Sequence, residues 1–254
     1  MTYKYDLSVI IPTYNEEENI VKIVSKIDEI CKRNGINEEI LIVDDDSKDN
    51  THSLVNMMIE KMPNLNMLIR YDNHGLSQSL YDGFYVAQSQ YIQVIDADFA
   101  HPPDKIPEIF KLLTSGKYDM VIGSRAVEGG GLENWPLYRK ILSLGASVFA
   151  KMLLPSIKDS GSGFFAINKT VLENSTFKPR GFRMGFEILG KGNWKNVTEI
   201  PIILRYRTEG NSKLKFKIIT DYLLQCYDIA VYNLILHKCD NVKRSWSQYL
   251  HKSQ

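Results

Sequence analysis

The chain has 254 residues, 44% of them hydrophobic, which suffices for one large domain with a buried core. Its 31 basic and 30 acidic residues leave a net charge of +1, so no global basic field argues for nucleic acid. Three cysteines (Cys31, Cys226 and Cys239) form neither a disulfide framework nor zinc spacing, and a reducing compartment fits them.

In chain order, MTYKYDLSVI holds no signal-peptide apolar region, and LSVIIPT (Leu7 to Thr13) predicts a buried strand. Asn15 is placed to cap the next helix with Glu18 as its partner. Ile20, Ile23, Val24, Ile27, Ile30 and Cys31 then recur at helical spacing up to a stop at Gly35. EEILIVDDDS predicts a second strand that ends in three aspartates, with Asp46 or Ser47 starting another helix. NMLIRY reads as a strand, Leu76 to Gln88 as a helix, and Tyr91 to Ile95 as a strand running into Asp96. Pro102 and Pro103 open a helix that ends near Gly116, and YDMVIGSR gives a fifth strand. Alternating strands and helices with short connections predict a doubly wound, mostly parallel α/β sheet with helices on both faces.

The second half is less regular. Gly129 to Gly131 read as a flexible link, and Pro136 to Leu154 as an amphipathic helix. A turn over Asp159 to Gly163 leads to a strand from Phe164 to Asn168. A helix around Met184 to Gly190, one strand VTEIPIIL, a polar loop RYRTEGNSK and a last helix from Phe216 to about His237 follow. The residues after 238 read as a flexible tail. No run of 18 apolar residues is present, so no segment is expected to span a bilayer.

Asp96 and Asp98 are the most informative pair. Residues i and i+2 of a strand point the same way, so both carboxylates can face one point at the carboxyl end of the sheet. Open α/β sheets bind ligands there, and paired hard oxygens suit a divalent metal carrying a phosphate-rich substrate. In an ordinary protein such a pair serves as a turn or cap. Here PTYNE, VDDDS, DAD and GSR all end strands on the same edge. No G-x-G-x-x-G follows the first strand, which argues against a dinucleotide oxidoreductase.

The set PTYNEEENI, VDDDSKD, GLSQSLYDGF, DADFAHPPD and VIGSR resembles the family 2 inverting glycosyltransferases of GT-A fold. GGGLENWPLYRKILSLGASVFAKMLL, DSGSGF and RTEGNSKL narrow the resemblance to the dolichyl-phosphate (polyprenyl-phosphate) mannose synthases, over roughly residues 6 to 215. The resemblance implies one GT-A domain over 1–238. Within it, 6–127 would bind the nucleotide sugar, 128–215 the acceptor, and 216–238 would form the C-terminal helix. It implies that Pro12, Tyr14, Glu16, Val43 and Asp45 hold the base and ribose. Asp96 and Asp98, with Ala97 between them, would bind Mg²⁺ or Mn²⁺ on the diphosphate. Arg125, Arg139, Ser143, Arg207, Ser212 and Lys213 would contact donor and acceptor phosphates, and catalysis would rest on Asp98, Arg125, Arg139 and Arg207. The implied reaction moves mannose from GDP-mannose to a polyprenyl phosphate with inversion. The acceptor is already an anion and needs no strong general base.

The implied partners are a nucleotide-sugar donor, a polyprenyl-phosphate lipid, a membrane surface and small membrane-embedded subunits. The implied location is the cytosolic face of a membrane, the endoplasmic reticulum in a eukaryote. The 136–154 helix, with Arg139, Lys140 and Lys151 beside its apolar face, suits the headgroup layer or a protein core. Asp159 and Glu187 either orient substrate or are structural. Ala100, Gly161, Phe165 and His74 depart from residues common in the family, which leaves open a UDP-sugar donor or a non-catalytic binding subunit.

Overall fold

The computed structural model describes residues 3–133, 150–205 and 220–235. Seven strands form the main sheet: β1 (Tyr5–Thr13), β2 (Glu38–Asp44), β3 (Leu65–Ile69), β4 (Ser89–Val94), β5 (Met120–Ser124), β7 (Phe165–Asn168) and β8 (Val197–Pro201). Their order is β3-β2-β1-β4-β7-β5-β8. All neighbours are parallel except β7, which runs antiparallel between β4 and β5. A second, two-stranded sheet pairs β6 (Gly131–Glu133) with β9 (Ile203–Arg205). The expected doubly wound, mostly parallel architecture is present.

Every residue of β2 and β5 is buried, as parallel strands covered on both faces require. Alternation along β1 sends Val9 and Ile11 to one core and Ile10 to the other. The first core lies under α1 (Ile20–Arg33), α2 (Thr51–Ile59) and α4 (Ile106–Thr114); α1 buries the six residues that the helical spacing selects. Cys31 is among them, and burial pushes its thiol up to about 12, which makes it an inert packing residue. The second core lies under α3 (Leu76–Val86), α5 (Met184–Lys191) and a last helix, α6 (220–235).

Four local expectations are corrected. Asn15 does not cap α1, which starts at Ile20 after Asn19. Asn15 sits at φ 57°, donates its amide to Ser47 Oγ and accepts from the Lys48 amide, both at 2.8 Å. The 15–17 loop is thus sewn to the 47–51 loop. Asp46 and Ser47 do not start α2, because Ser47 is bonded through its amide and hydroxyl to Asp44. VTEIPIIL is two strands: Pro201 lacks an amide donor and ends the edge strand β8, and the chain crosses to pair with β6. Gly129 to Gly131 are ordered; a side chain on Gly130 would meet the Ser124 carbonyl at 2.5 Å, and Gly131 opens β6.

At the opposite end of the sheet, Glu38 is 3% exposed. Burial, with Asp28 adding to it against the residue's own backbone hydrogen bond, raises its pKa from 4.5 to about 7. A raised carboxyl favours the folded state while protonated, so this contribution is present at low pH and is lost as pH climbs from 4.5 to 7. Glu38→Gln keeps an acceptor for Asn64 (2.7 Å in the wild type) and removes the charge. At pH 8 it is expected to stabilise the chain by roughly 2–3 kcal/mol in urea unfolding, with the gain vanishing near pH 4.5.

Candidate active site

The strand order sets the site. β2, β1 and β4 are adjacent and end side by side, which brings Asp44–Asp46, Tyr14–Glu16 and Asp96–Asp98 to one edge. Because β7 runs antiparallel, the turn that precedes it, 159–163, enters at this same edge and fills the space between the ends of β4 and β5.

Among the three aspartates at the carboxyl end of β2, Asp44 is fully buried and accepts from Thr13 Oγ1 (2.7 Å), Ser47 and His52, so it organises the loops. Asp45 is held by Arg70 in a buried ion pair and accepts from Ser79 Oγ at 2.8 Å and the Gly75 amide at 2.7 Å. Arg70 in turn bonds Asp82 Oδ2 at 2.7 Å and the Asn73 carbonyl at 2.7 Å. His74 Nε2 lies 3.0 Å from the Arg70 carbonyl, as part of the same turn. Tyr14 stands 58% exposed just after β1, an aromatic face open to solvent. Pro12 and Glu16 are half-buried, and Glu16 accepts from Asn19 at 3.1 Å. Val43 is fully buried under α3 and packs as a core residue.

After β4 the chain places Ala97 inward in the α1 core, while the Asp96 side chain keeps 28% of its surface exposed and Asp98 is half-buried. The Ala100 amide donates to Asp98 Oδ1 at 3.0 Å, across a Phe99 held at φ 58°. That left-handed conformation is costly for an aromatic residue and is held by neighbours: the Arg205 amide donates to the Ala100 carbonyl at 3.1 Å. Beneath Asp96 lies His101, buried and stacked on Phe164 at 5.3 Å. Burial pushes the His101 pKa down against the pull of Asp96. Its Nδ1 faces the Asp96 amide at 3.3 Å, so this nitrogen is the unprotonated one and the ring is neutral. A neutral imidazole 3.6 Å from Asp96 Oδ2 leaves the carboxylate's charge uncompensated on that side.

Two carboxylates on the open side of a strand end offer hard oxygens, which fit Mg²⁺ or Mn²⁺. No cluster of three or more His, Cys, Asp or Glu side chains with metal-binding potential occurs among the described residues. The remaining positions would fall to phosphate oxygens and water, an arrangement these cations accept. A cavity of about 640 Å³ on the α1 side, lined by Lys22, Lys26, Phe99, Pro201 and Arg205 among others, contains neither carboxylate.

Across β7, Arg125 gives its amide, Nε and Nη2 to Asp159, at 2.9, 2.7 and 2.6 Å. Burial alone would raise the Asp159 carboxyl, but the Arg125 hydrogen bonds and charge outweigh it and hold it below the usual range. Asp159 is thus the anchor of Arg125. Glu187, fully buried, pairs with Lys191 at 2.8 Å and accepts the Lys178 amide at 2.6 Å, a structural role.

The sequence reading missed Arg183. A side chain on Gly161 would come within 2.6 Å of Arg183 Nη1 and 3.7 Å of Arg125 Nη2, so two guanidinium groups flank one glycine. Among the described residues Arg183 has no carboxylate partner; its guanidinium lies over the Tyr222 ring at 4.6 Å. Burial lowers the Arg183 pKa, and an arginine keeps its proton regardless. Its position at the start of a helix was a usable signal, since a cation there opposes the helix dipole. Arg139, Ser143, Arg207, Ser212 and Lys213 lie outside the described residues, as does most of the expected 136–154 helix, of which 150–153 are helical.

A mostly parallel sheet thus gathers acidic strand ends and a paired arginine along one edge. The chain matches the model of glycosyl transferase family 2 over residues 8–186 and belongs to that family. It is 43% identical over 224 residues to a dolichol-phosphate mannosyltransferase of Pyrococcus furiosus, covering 87% of this chain and 62% of the relative. A dolichol-phosphate mannosyltransferase of Saccharomyces cerevisiae is 33% identical, with 91% of each chain covered. Among solved structures, glucosyl-3-phosphoglycerate synthase from Mycobacterium tuberculosis in complex with Mn²⁺, UDP and glucosyl-3-phosphoglycerate superposes with a TM-score of 0.65. That pair shares 17% identity over 88% of this chain and 80% of the other, a likeness of fold.

Proposed function

We propose that the chain transfers mannose from GDP-mannose to a dolichyl or other polyprenyl phosphate, with inversion at the anomeric carbon. The observation that carries this reading is the juxtaposition of Asp96 and Asp98 with Tyr14 and Asp45 on one side and Arg125 and Arg183 on the other. The two mannosyltransferase relatives support the sugar and the acceptor class.

Tyr14 gives the base a flat wall, and Asp45, buried against Arg70, Ser79 and the Gly75 amide, fixes the neighbouring loop. Asp96 and Asp98 would hold a divalent cation, which when bound offsets the charge left on the departing diphosphate. Arg125 and Arg183 supply guanidinium donors suited to phosphate oxygens. An acceptor phosphate oxygen attacks the anomeric carbon in line as the bond to the nucleoside diphosphate breaks, so GDP leaves and the linkage inverts. No proton has to be removed from a phosphate anion. Consistent with that, Asp159 and Glu187 are committed to Arg125 and Lys191, and His101 is buried. Positioning and charge stabilisation are left to carry the rate.

A polyprenyl-phosphate acceptor would hold the protein at a membrane surface, on its cytosolic face in this proposal. No helix among the described residues is long and apolar enough to cross a bilayer. Small membrane-embedded subunits remain part of the proposal. Purified protein with labelled GDP-mannose, dolichyl phosphate and Mg²⁺ or Mn²⁺ is expected to yield a lipid-extractable product. Transfer from UDP-glucose alone, or from no donor at all, would contradict the reading.

A further inference from the structure

Helix α6 reaches the phosphate-binding side of the molecule through Tyr222 and Gln225, both of which contact Arg183. Its inner face carries Tyr222, Gln225, Cys226 and Ile229 against α5. A side chain on Gly190 would fall 2.6 Å from Ile229 Cγ2, so Ile229 occupies a notch that only glycine leaves open. Asp228 flanks the notch and pairs with Lys178 at 3.2 Å and Lys191 at 3.5 Å. With its seat fixed this way, α6 presses the Tyr222 ring against Phe186 at 5.8 Å and under the Arg183 guanidinium, while Gln225 donates to the Arg183 carbonyl at 3.2 Å. The outer face of the helix exposes Leu223, Leu224, Tyr227, Leu234 and Ile235.

The two arginines beside Gly161 are therefore held by different means. Asp159 fixes Arg125 through a direct ion pair, whereas Arg183 is held by an aromatic face and, among the described residues, by no carboxylate in direct contact. We propose that Tyr222 is a positioning residue for the acceptor phosphate: it aims Arg183, and through it the acceptor site depends on the seating of α6. This inference rests on the polyprenyl-phosphate reading. It adds that the helix bearing an exposed apolar face is the one that sets the phosphate-binding cation.

The test uses farnesyl phosphate, a short soluble polyprenyl phosphate, so that bilayer effects do not enter. Two quantities are measured on the full chain: equilibrium binding of farnesyl phosphate, and steady-state transfer. Tyr222→Leu is expected to raise the dissociation constant and the acceptor KM about threefold to tenfold, with kcat and GDP-mannose binding unchanged. Tyr222→Phe, which keeps the ring and loses only the hydroxyl's hydrogen bond to Cys226, should stay within about twofold of the wild type. The double variant Tyr222→Leu/Arg183→Leu should bind no more weakly than Arg183→Leu alone, because the tyrosine acts only through the arginine. Tyr222→Met serves as the second apolar variant if the leucine lowers folding yield. Additive losses in the double variant, an equal loss of GDP-mannose affinity, or a silent Tyr222→Leu would overturn the proposal. If the binding pattern holds while farnesyl phosphate receives no sugar, the positioning role stands and the acceptor assignment falls. A wild-type chain that does not bind farnesyl phosphate overturns both.

Discussion

Replacing Asp98 with asparagine is expected to lower kcat by about a thousandfold or more, with Asp96→Asn close behind, while the melting temperature moves by no more than about 2 °C. The rate loss follows from the chemistry assigned to the pair. A divalent cation held by the two carboxylates would offset charge that develops on the departing diphosphate, and terms of this kind are worth roughly 3–4 kcal/mol when one donor is removed. The fold is spared because both side chains are half-buried at a strand end, outside the two cores. Asparagine keeps the volume and an oxygen that can accept from the Ala100 amide, so the Phe99 turn survives. Activity measured at saturating donor and acceptor, with melting curves on the same samples, checks both halves. Full activity in Asp98→Asn would remove Asp98 from the chemistry.

Asp159→Asn is expected to act first on stability. The wild-type carboxylate receives the amide, Nε and Nη2 of Arg125 in a nearly dry setting. Removing one partner of a buried ion pair leaves the other charge uncompensated, at a cost of about 3–5 kcal/mol. For a domain of this size that lowers the melting temperature by about 8–15 °C. The pH sign provides a second check. The folded-state pKa of Asp159 is depressed, so its contribution is present above the ordinary carboxylate pKa and is lost as pH falls through the folded value. Wild type and Asp159→Asn should therefore differ most near neutral pH and converge under acid. A shift below about 2 °C at pH 7 would mean that Arg125 finds another anchor. Transfer by the variant should also fall, because Arg125, released from Asp159, would no longer be fixed beside Gly161.

Much of this arrangement was legible because it obeys simple periodicities. Buried parallel strands read as apolar runs, and α1 showed its core face at helical spacing. The i, i+2 rule placed Asp96 and Asp98 on one side, with Ala97 turned into the core between them. What escaped depended on contacts between distant segments. Asn15 has the composition of a helix cap, yet its donor and acceptor are taken by Ser47 and Lys48, over thirty residues away. The break in VTEIPIIL was signalled by Pro201, but only the position of β8 at the sheet edge gives that proline its effect. The antiparallel insertion of β7 has no local signature. It nevertheless brings Gly161 and Asp159 to the catalytic edge, which is why Arg183 was passed over as one more cation. Val43, named because the family resemblance implied it, has its side chain buried under α3.

The measurement that bears most directly on the central claim is Mn²⁺ binding followed by electron paramagnetic resonance, with and without GDP. The account predicts one tightly held Mn²⁺ per chain that requires both GDP and the two carboxylates, and is lost in Asp96→Asn/Asp98→Asn. Retention of the GDP-dependent Mn²⁺ signal in that double variant would contradict it.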